Sequence, residues 1–251
     1  MHQRLSRSNW PYCDSTYPDA FSGEKDSCGV GFIASVEGKQ NHWVLSQALR
    51  GLSCMEHRGG CGGDGDSGDG AGILCEIPWS YLSQVWDTAI QCDPHLSGIG
   101  MIFMPKDSKN RAIAKKICEQ EAELLGITSK GWRDVPVHEE VLGKLARENE
   151  PFITQWIVDI KDKEIYLEAL LFRLRQRISN RANIELKEDK LGLYICSLSS
   201  KTIVYKGLVH PDVFSSFYSD LADETHKSAS STFHIRFSTN TSPKWHLAQP
   251  Y

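Results

Sequence analysis

The sequence predicts a mixed domain of helices and strands, α/β or α+β, and three observations carry that expectation. Apolar runs of strand length recur along the chain: GILCEI at 72–77, GIGMIFM at 98–104 and FITQWIVDI at 152–160. Segments with apolar residues at helical spacing separate them. No stretch repeats another, which excludes a solenoid or propeller.

Taken in order, Cys28 to Val36 reads as a strand and opens the first strongly apolar stretch. Leu45, Ala48, Leu49 and Leu52 then fall at helical spacing. They predict a helix over about 41–56 capped by Asn41, whose side-chain oxygen can accept from the first-turn amides. A glycine-rich loop leads to the strands 72–77 and 98–104. The segment 108–125 predicts a helix capped by Ser108 and ended by Gly126. A further helix over 138–149 follows, then the strand 152–160 and a basic amphipathic helix over 166–178, whose Arg and Lys form a solvated face. LGLYICSLS and TIVYKGL, residues 191–208, predict a hairpin turning at Ser200–Lys201. A short helix after Pro211 and the strand TFHIRFST, 232–239, complete the order.

With 251 residues, 40% hydrophobic and 24% charged, the chain can bury the core of one large domain or two small ones. A net charge of −4 and a pI near 6.1 give no electrostatic reason to expect nucleic acid or an anionic membrane as partner. Small-molecule chemistry is the class that composition favours. No apolar run approaches the roughly 20 residues of a membrane helix, and residues 1–12 lack the apolar stretch of a secretory signal, so a cytoplasmic location is expected. The eight cysteines are scattered and none forms a CxxC pair. A disulfide framework or structural zinc site therefore has no support, and most of these thiols read as small buried side chains.

Residues 1–27 differ from the rest, holding Ser, Asp, Pro, Tyr and charge without helical or strand period. They read either as a plain tail or as a propeptide-like leader ending at Ser27, with the domain proper running from 28 to 251. The second reading makes chemical sense of KDSCGVGF at 25–32. Cutting the Ser27–Cys28 bond would give one residue a thiol, ordinarily titrating near about 8.5, and an α-amine near about 7.7–8.0 that can act as its general base. Gly29 would leave the approach to that thiol open.

The loop HRGGCGGDGDSGDGAG, 57–72, satisfies G-x-G-x-x-G twice, but it follows a predicted helix where the dinucleotide fingerprint needs a strand. Asp64, Asp66 and Asp69 would also repel a pyrophosphate. With Asp64 as position 1 of a calcium loop, Asp69 falls where glycine is needed and Cys75 where the bidentate glutamate is needed. The loop instead reads as a tight, left-handed-turn-rich wall whose carboxylates accept from local backbone amides. In FHIRFSTNTSPKWHLAQP, 233–250, Arg236 emerges from a predicted strand before a run of hydroxyl and amide side chains. Arg236 can hold a carboxylate through a bidentate fork with Thr239 donating to the same anion, as an amino-acid substrate would require; or it can pair with a loop aspartate.

CGVGF at 28, HRGG and GDGAGILCEIPW within 57–79, LYICSLSSKTIVYKGL and HIRFSTNT with KWHLAQP together resemble, in order and spacing, the amino-terminal glutaminase domain of glutamate synthase large chains. They are similar in flavour to the cyanobacterial and plastid ferredoxin-dependent type. The resemblance runs from Cys28 to the end. It implies an α+β fold, the Ntn-hydrolase αββα sandwich, and a class II glutamine amidotransferase releasing ammonia from L-glutamine through a Cys28 thioester. Cys28 would be nucleophile and base, Arg236 the clamp for the α-carboxylate and Thr239 its helper. Phe237 stands where the family often has Tyr, and Gly60 where Ala is usual.

The resemblance also implies partners. The other domains of a glutamate synthase, in cis or on a second chain, would carry FMN and an iron–sulfur cluster, neither expected in this chain, and would take electrons from ferredoxin or a reductase subunit. The family's Asn-Gly oxyanion pair and ammonium-binding Asp would follow Tyr251. The fold is therefore expected to be carboxy-terminally incomplete, with a sheet edge exposed and little activity alone; the other expectation is a non-catalytic remnant that binds a partner chain.

Overall fold

The computed structural model describes residues 28–60, 63–86, 92–161, 166–187, 192–238 and 242–251. Residues 1–27, for which a leader or a plain tail was expected, and Thr239 lie outside the described residues. Eight strands among them form two four-stranded antiparallel sheets. The first has the order β1-β8-β2-β7, from Gly29–Ala34, Ser230–Ile235, Ala71–Glu76 and Thr202–Gly207. The second, β4-β5-β3-β6, uses Thr128–Asp134, Phe152–Asp159, Ser97–Met104 and Tyr194–Ser199. With purely antiparallel sheets the class is α+β, as the resemblance implied, and α/β is excluded.

Two cores follow from strand alternation. Ile73, Tyr205, Phe233 and Ile235 of the first sheet share one with Leu45, Ala48 and Leu52 of α1 (His42–Cys54) and with Ile99, Met101 and Ile157 of the second sheet. The opposite face of the second sheet, with Ile102, Met104, Trp156 and Val158, packs on Ile117 of α3 (Ser108–Leu124) and on Leu171, Leu174 and Ile178 of α5 (Leu167–Glu185). Helix α1 lies close on β8 because residue 51 is glycine: a Cβ there would stand 2.6 Å from the Phe233 ring. No helix among the described residues is long and apolar enough to cross a membrane.

Asn41 caps α1 as expected, its Oδ1 accepting from Val44 N at 2.9 Å. Gly126 ends α3 with φ +71°. The cap of α3 is Asp107, which accepts from Asn110 N at 2.9 Å, and Ser108 is its first helical residue. The helix expected over 138–149 is instead a 3-10 turn, Glu139–Val141, and a short helix α4, Lys144–Glu148. Its chain is interrupted where Gly143 passes Ser67, so closely that a Cβ would meet the Ser67 amide nitrogen at 2.5 Å. The last strand ends at Ile235, leaving Arg236 just outside the ladder.

The predicted hairpin 191–208 is corrected more deeply. The chain does turn at Ser200–Lys201, but β6 pairs with β3 in one sheet and β7 with β2 in the other, so the turn is a corner between sheets. Glu168 of α5 holds that corner by accepting from the hydroxyls of Ser199 and Ser200.

Between the sheets, His226 is fully buried, stacked on Tyr81 of α2 (Trp79–Val85) with 5.4 Å between ring centroids. Its Nδ1 lies 3.0 Å from the Asp220 carbonyl oxygen, which can only accept, so Nδ1 carries the proton. Nε2 then accepts from the Cys75 thiol at 3.6 Å, which burial pushes up to about 12 and so keeps protonated. Burial lowers His226 from 6.5 to about 4. Between those values the unfolded chain binds more protons, so stability is present above pH 6.5 and falls as pH drops toward 4. His226→Asn is expected to remove up to about 3 kcal/mol of that fall, read as the wild-type-minus-variant difference in urea midpoints between pH 7 and 4.

Candidate active site

Strand β1 pairs with β8 in the register Gly29↔Ile235, Val30↔His234, Gly31↔Phe233. Residues directly opposed in an antiparallel pair share a face. Continuing one step past Gly29↔Ile235 sets Cys28 across from Arg236, on the face that carries exposed Val30 and buried His234. Of the three residues singled out in the sequence, Cys28 and Arg236 thus stand just past the same end of the β1–β8 ladder, and the third, Thr239, lies outside the described residues.

Cys28 is exposed, with a free thiol. The Phe237 amide donates to its sulfur at 3.3 Å, and the Phe237 carbonyl oxygen lies 3.9 Å away. The segment that delivers Arg236 therefore also orients the thiol. Gly29 is needed behind it: a Cβ there would stand 2.8 Å from Met55 Sδ and 3.0 Å from Ile235.

The glycine-rich loop forms the wall expected of it. Arg236 N donates to Gly70 O at 2.7 Å, and Gly60 N donates to Arg236 O at 3.3 Å, so the arginine backbone is held on both sides. Asp69 closes the loop, its amide donating to Gly60 O at 2.9 Å while its carboxylate accepts from Ser238 N at 2.7 Å. Gly60 has no room for a side chain, since a Cβ would lie 2.0 Å from Asp69 Oδ2. Asp64 accepts from the amides of Asp66, Ser67 and, across the loop, Leu145 of α4. These bonds, Leu145 first, hold its carboxyl well below the usual carboxylate range.

The site face is basic in a way the sequence did not disclose. Lys206 on β7 is fully buried and pairs with Gly72, as His234 does from the other side. Its Nζ donates to Tyr194 Oη at 3.2 Å and to His246 O at 3.1 Å, with the Tyr194 and Tyr251 rings 4.7 and 4.6 Å from the ammonium. Burial lowers it to about 8. His234 is lowered by burial and then by Arg236; His246 by burial and then by Lys244, Lys206 and Arg236. Imidazoles that are harder to protonate, set near the Arg236 guanidinium, leave a fixed positive charge on this face that suits an anionic group such as a carboxylate. Only alternation on β2, β7 and β8 with the ladder register known could have grouped these residues.

Among the described residues, one group of three His, Cys, Asp or Glu side chains lies close enough to share a metal ion: Glu56, His210 and Asp212, with no cysteine in it.

The family model for glutamine amidotransferases class-II matches residues 28–251, beginning at the candidate nucleophile. Over 231 residues the chain is 43% identical to ferredoxin-dependent glutamate synthase 2 of Synechocystis sp., which is 90% of this chain and 14% of that protein. The chloroplastic/mitochondrial ferredoxin-dependent glutamate synthase 1 of Arabidopsis thaliana is 43% identical over 232 residues, again 90% of this chain and 14% of the relative. The chloroplastic ferredoxin-dependent glutamate synthase of Spinacia oleracea is 42% identical over 232 residues, with the same two coverages. The chain spans about one seventh of the length of these curated relatives.

Proposed function

Because this chain belongs to the class-II glutamine amidotransferases, we propose that it works as the glutaminase portion of a glutamate synthase, with Cys28 as nucleophile and Arg236 as the clamp for the α-carboxylate of L-glutamine. The single observation that carries the reading is the Phe237 amide donating to the Cys28 sulfur at 3.3 Å, which brings the residue next to Arg236 onto the candidate nucleophile.

Removal of the leader after Ser27 frees the Cys28 α-amine, which takes the thiol proton. The sulfur attacks the side-chain amide carbon of glutamine. The amine returns the proton to the leaving nitrogen, ammonia departs and a glutamyl thioester remains. Water, deprotonated by the same amine, then cleaves the thioester, giving glutamate and the free thiol. Arg236 fixes the substrate's far end so that the amide meets the sulfur, and Thr239 donates to the same carboxylate.

FMN and an iron–sulfur cluster belong, in this reading, to the remaining domains of the parent enzyme, with ferredoxin or a reductase subunit as electron donor. The relatives' names, all ferredoxin-dependent, support the first donor. Val30 and Phe32, 69% and 77% exposed beside the site, form apolar surface that those domains would cover.

Arg236→Lys tests the clamp, since an ammonium cannot reproduce the two-pronged contact of a guanidinium. The glutamine concentration that half-protects Cys28 from an electrophilic glutamine analogue is expected to rise about 10- to 100-fold, the loss of one charge-assisted bond. Unchanged protection would contradict the assigned role.

A further inference from the structure

We propose that Glu56, His210 and Asp212 form a binding site for a divalent cation of the zinc class, independent of the glutaminase reading. Their ligand atoms all lie within 4.8 Å of one another. They come from two separate parts of the chain: Glu56 from the 3-10 turn Glu56–Arg58 that follows α1, His210 and Asp212 from either side of the start of the turn Pro211–Val213.

The spacing is compatible with a shared ion. His210 Nε2 and Glu56 Oε1 stand 3.4 Å apart, within ion-pair reach of each other. Two ligands each about 2.1 Å from a zinc ion at tetrahedral angles are separated by about 3.4 Å. Asp212 is held for the same purpose. The Ser53 hydroxyl donates to its Oδ1, which fixes the carboxylate plane and leaves the other oxygen for an ion, the outer-shell support that metal carboxylates use. His210 is the less exposed member, and its backbone is set by Val213 N donating to its carbonyl oxygen at 3.1 Å and by close packing against Gly68, where a Cβ would come 3.3 Å from His210 Cα.

One imidazole with two carboxylates selects zinc and its transition-metal neighbours over magnesium or calcium, which take oxygen ligands alone. Three protein ligands leave a fourth position for water. A bound ion would tie the end of α1 to the 210–213 turn. Two residues past the Glu56–Arg58 turn, Gly60 donates to the Arg236 carbonyl, so the ion would also brace the backbone that carries the clamp.

The test uses zinc itself with the full chain carrying Cys28→Ala and Cys54→Ala, because both of those thiols are exposed and would compete for the metal. Equilibrium dialysis is expected to find one zinc per chain. The thermal midpoint should rise by about 5–11 °C at a hundredfold excess over Kd. Both effects should vanish in His210→Ala and in Asp212→Asn, with circular dichroism confirming that each variant is folded. Zinc uptake that persists in these variants, or no uptake by the parent chain, overturns the proposal.

Discussion

Cys28→Ala is expected to abolish whatever glutamine hydrolysis the chain performs, the usual consequence of deleting a nucleophile that no neighbouring group can replace. The fold should not notice. Cys28 is exposed and lies before the first residue of β1, so its loss belongs with surface substitutions that shift stability by less than about 0.5 kcal/mol. Ammonia release measures the first effect and the urea midpoint the second. Cys54→Ala is the matched control. Cys54 is an equally free, exposed thiol at the end of α1, and its removal should leave hydrolysis unchanged.

Asp220→Ala is expected to have the largest effect on stability, about 3–5 kcal/mol, because it strands a buried cation. Asp220 is fully buried and receives Arg133 through two parallel bonds of 2.8 and 2.9 Å. It also accepts from Tyr81 Oη at 2.8 Å and Tyr205 Oη at 3.0 Å. Arg133 lies on β4 of the second sheet and Tyr205 on β7 of the first, so one carboxylate joins both sheets. Its charge contributes to two shifts: burial, then the Asp220 charge, raises the Tyr81 hydroxyl, and against the opposing effect of its own burial Arg133 is raised by its Asp220 contacts. Without the carboxylate, the guanidinium and two hydroxyls lose their acceptor inside the protein. For a chain of this length the midpoint should fall by roughly 6–20 °C. A fall below about 1 kcal/mol would mean that water reaches the network and replaces the acceptor.

Elements whose apolar residues keep one period were legible in the sequence. Leu45, Ala48 and Leu52 reported α1 because all three face one core, and the uninterrupted runs of β3 and β5 reported strands buried on both faces. Strand β4 was not legible: TSKGWRD has a single large apolar residue, Trp132, and its ladder shifts register between Ser129 and Gly131. The 191–208 hairpin was misread because two apolar runs around a two-residue turn look alike whether the strands pair with each other or part into separate sheets. What separates them is Glu168 on α5, more than 30 residues away.

The chemistry of the site was legible as residue types and its geometry was not. Cys28 stood out by its place after a segment whose sequence has no helical or strand period, and Arg236 by the hydroxyl run behind it. Their segments are joined by a contact between residues 209 apart in the chain, the Phe237 amide on the Cys28 sulfur, which no local pattern encodes. Asp69 was visible only as one of three loop carboxylates. Its distinct task, receiving Ser238 N beside Gly60, required the folded loop. Lys206 and His234 carried no signal, since their shared face appears only when β2 is laid between β7 and β8.

The central claim, that Cys28 is a nucleophile in a glutamine site, is tested most directly by incubating the full chain with an electrophilic glutamine analogue and locating the adduct by peptide mass spectrometry. The account predicts one adduct on Cys28, found as the amino-terminal residue, with labelling suppressed by L-glutamine and Cys54 unmodified. Equal modification of Cys28 and Cys54, unaffected by glutamine, would show an ordinary surface thiol and contradict it.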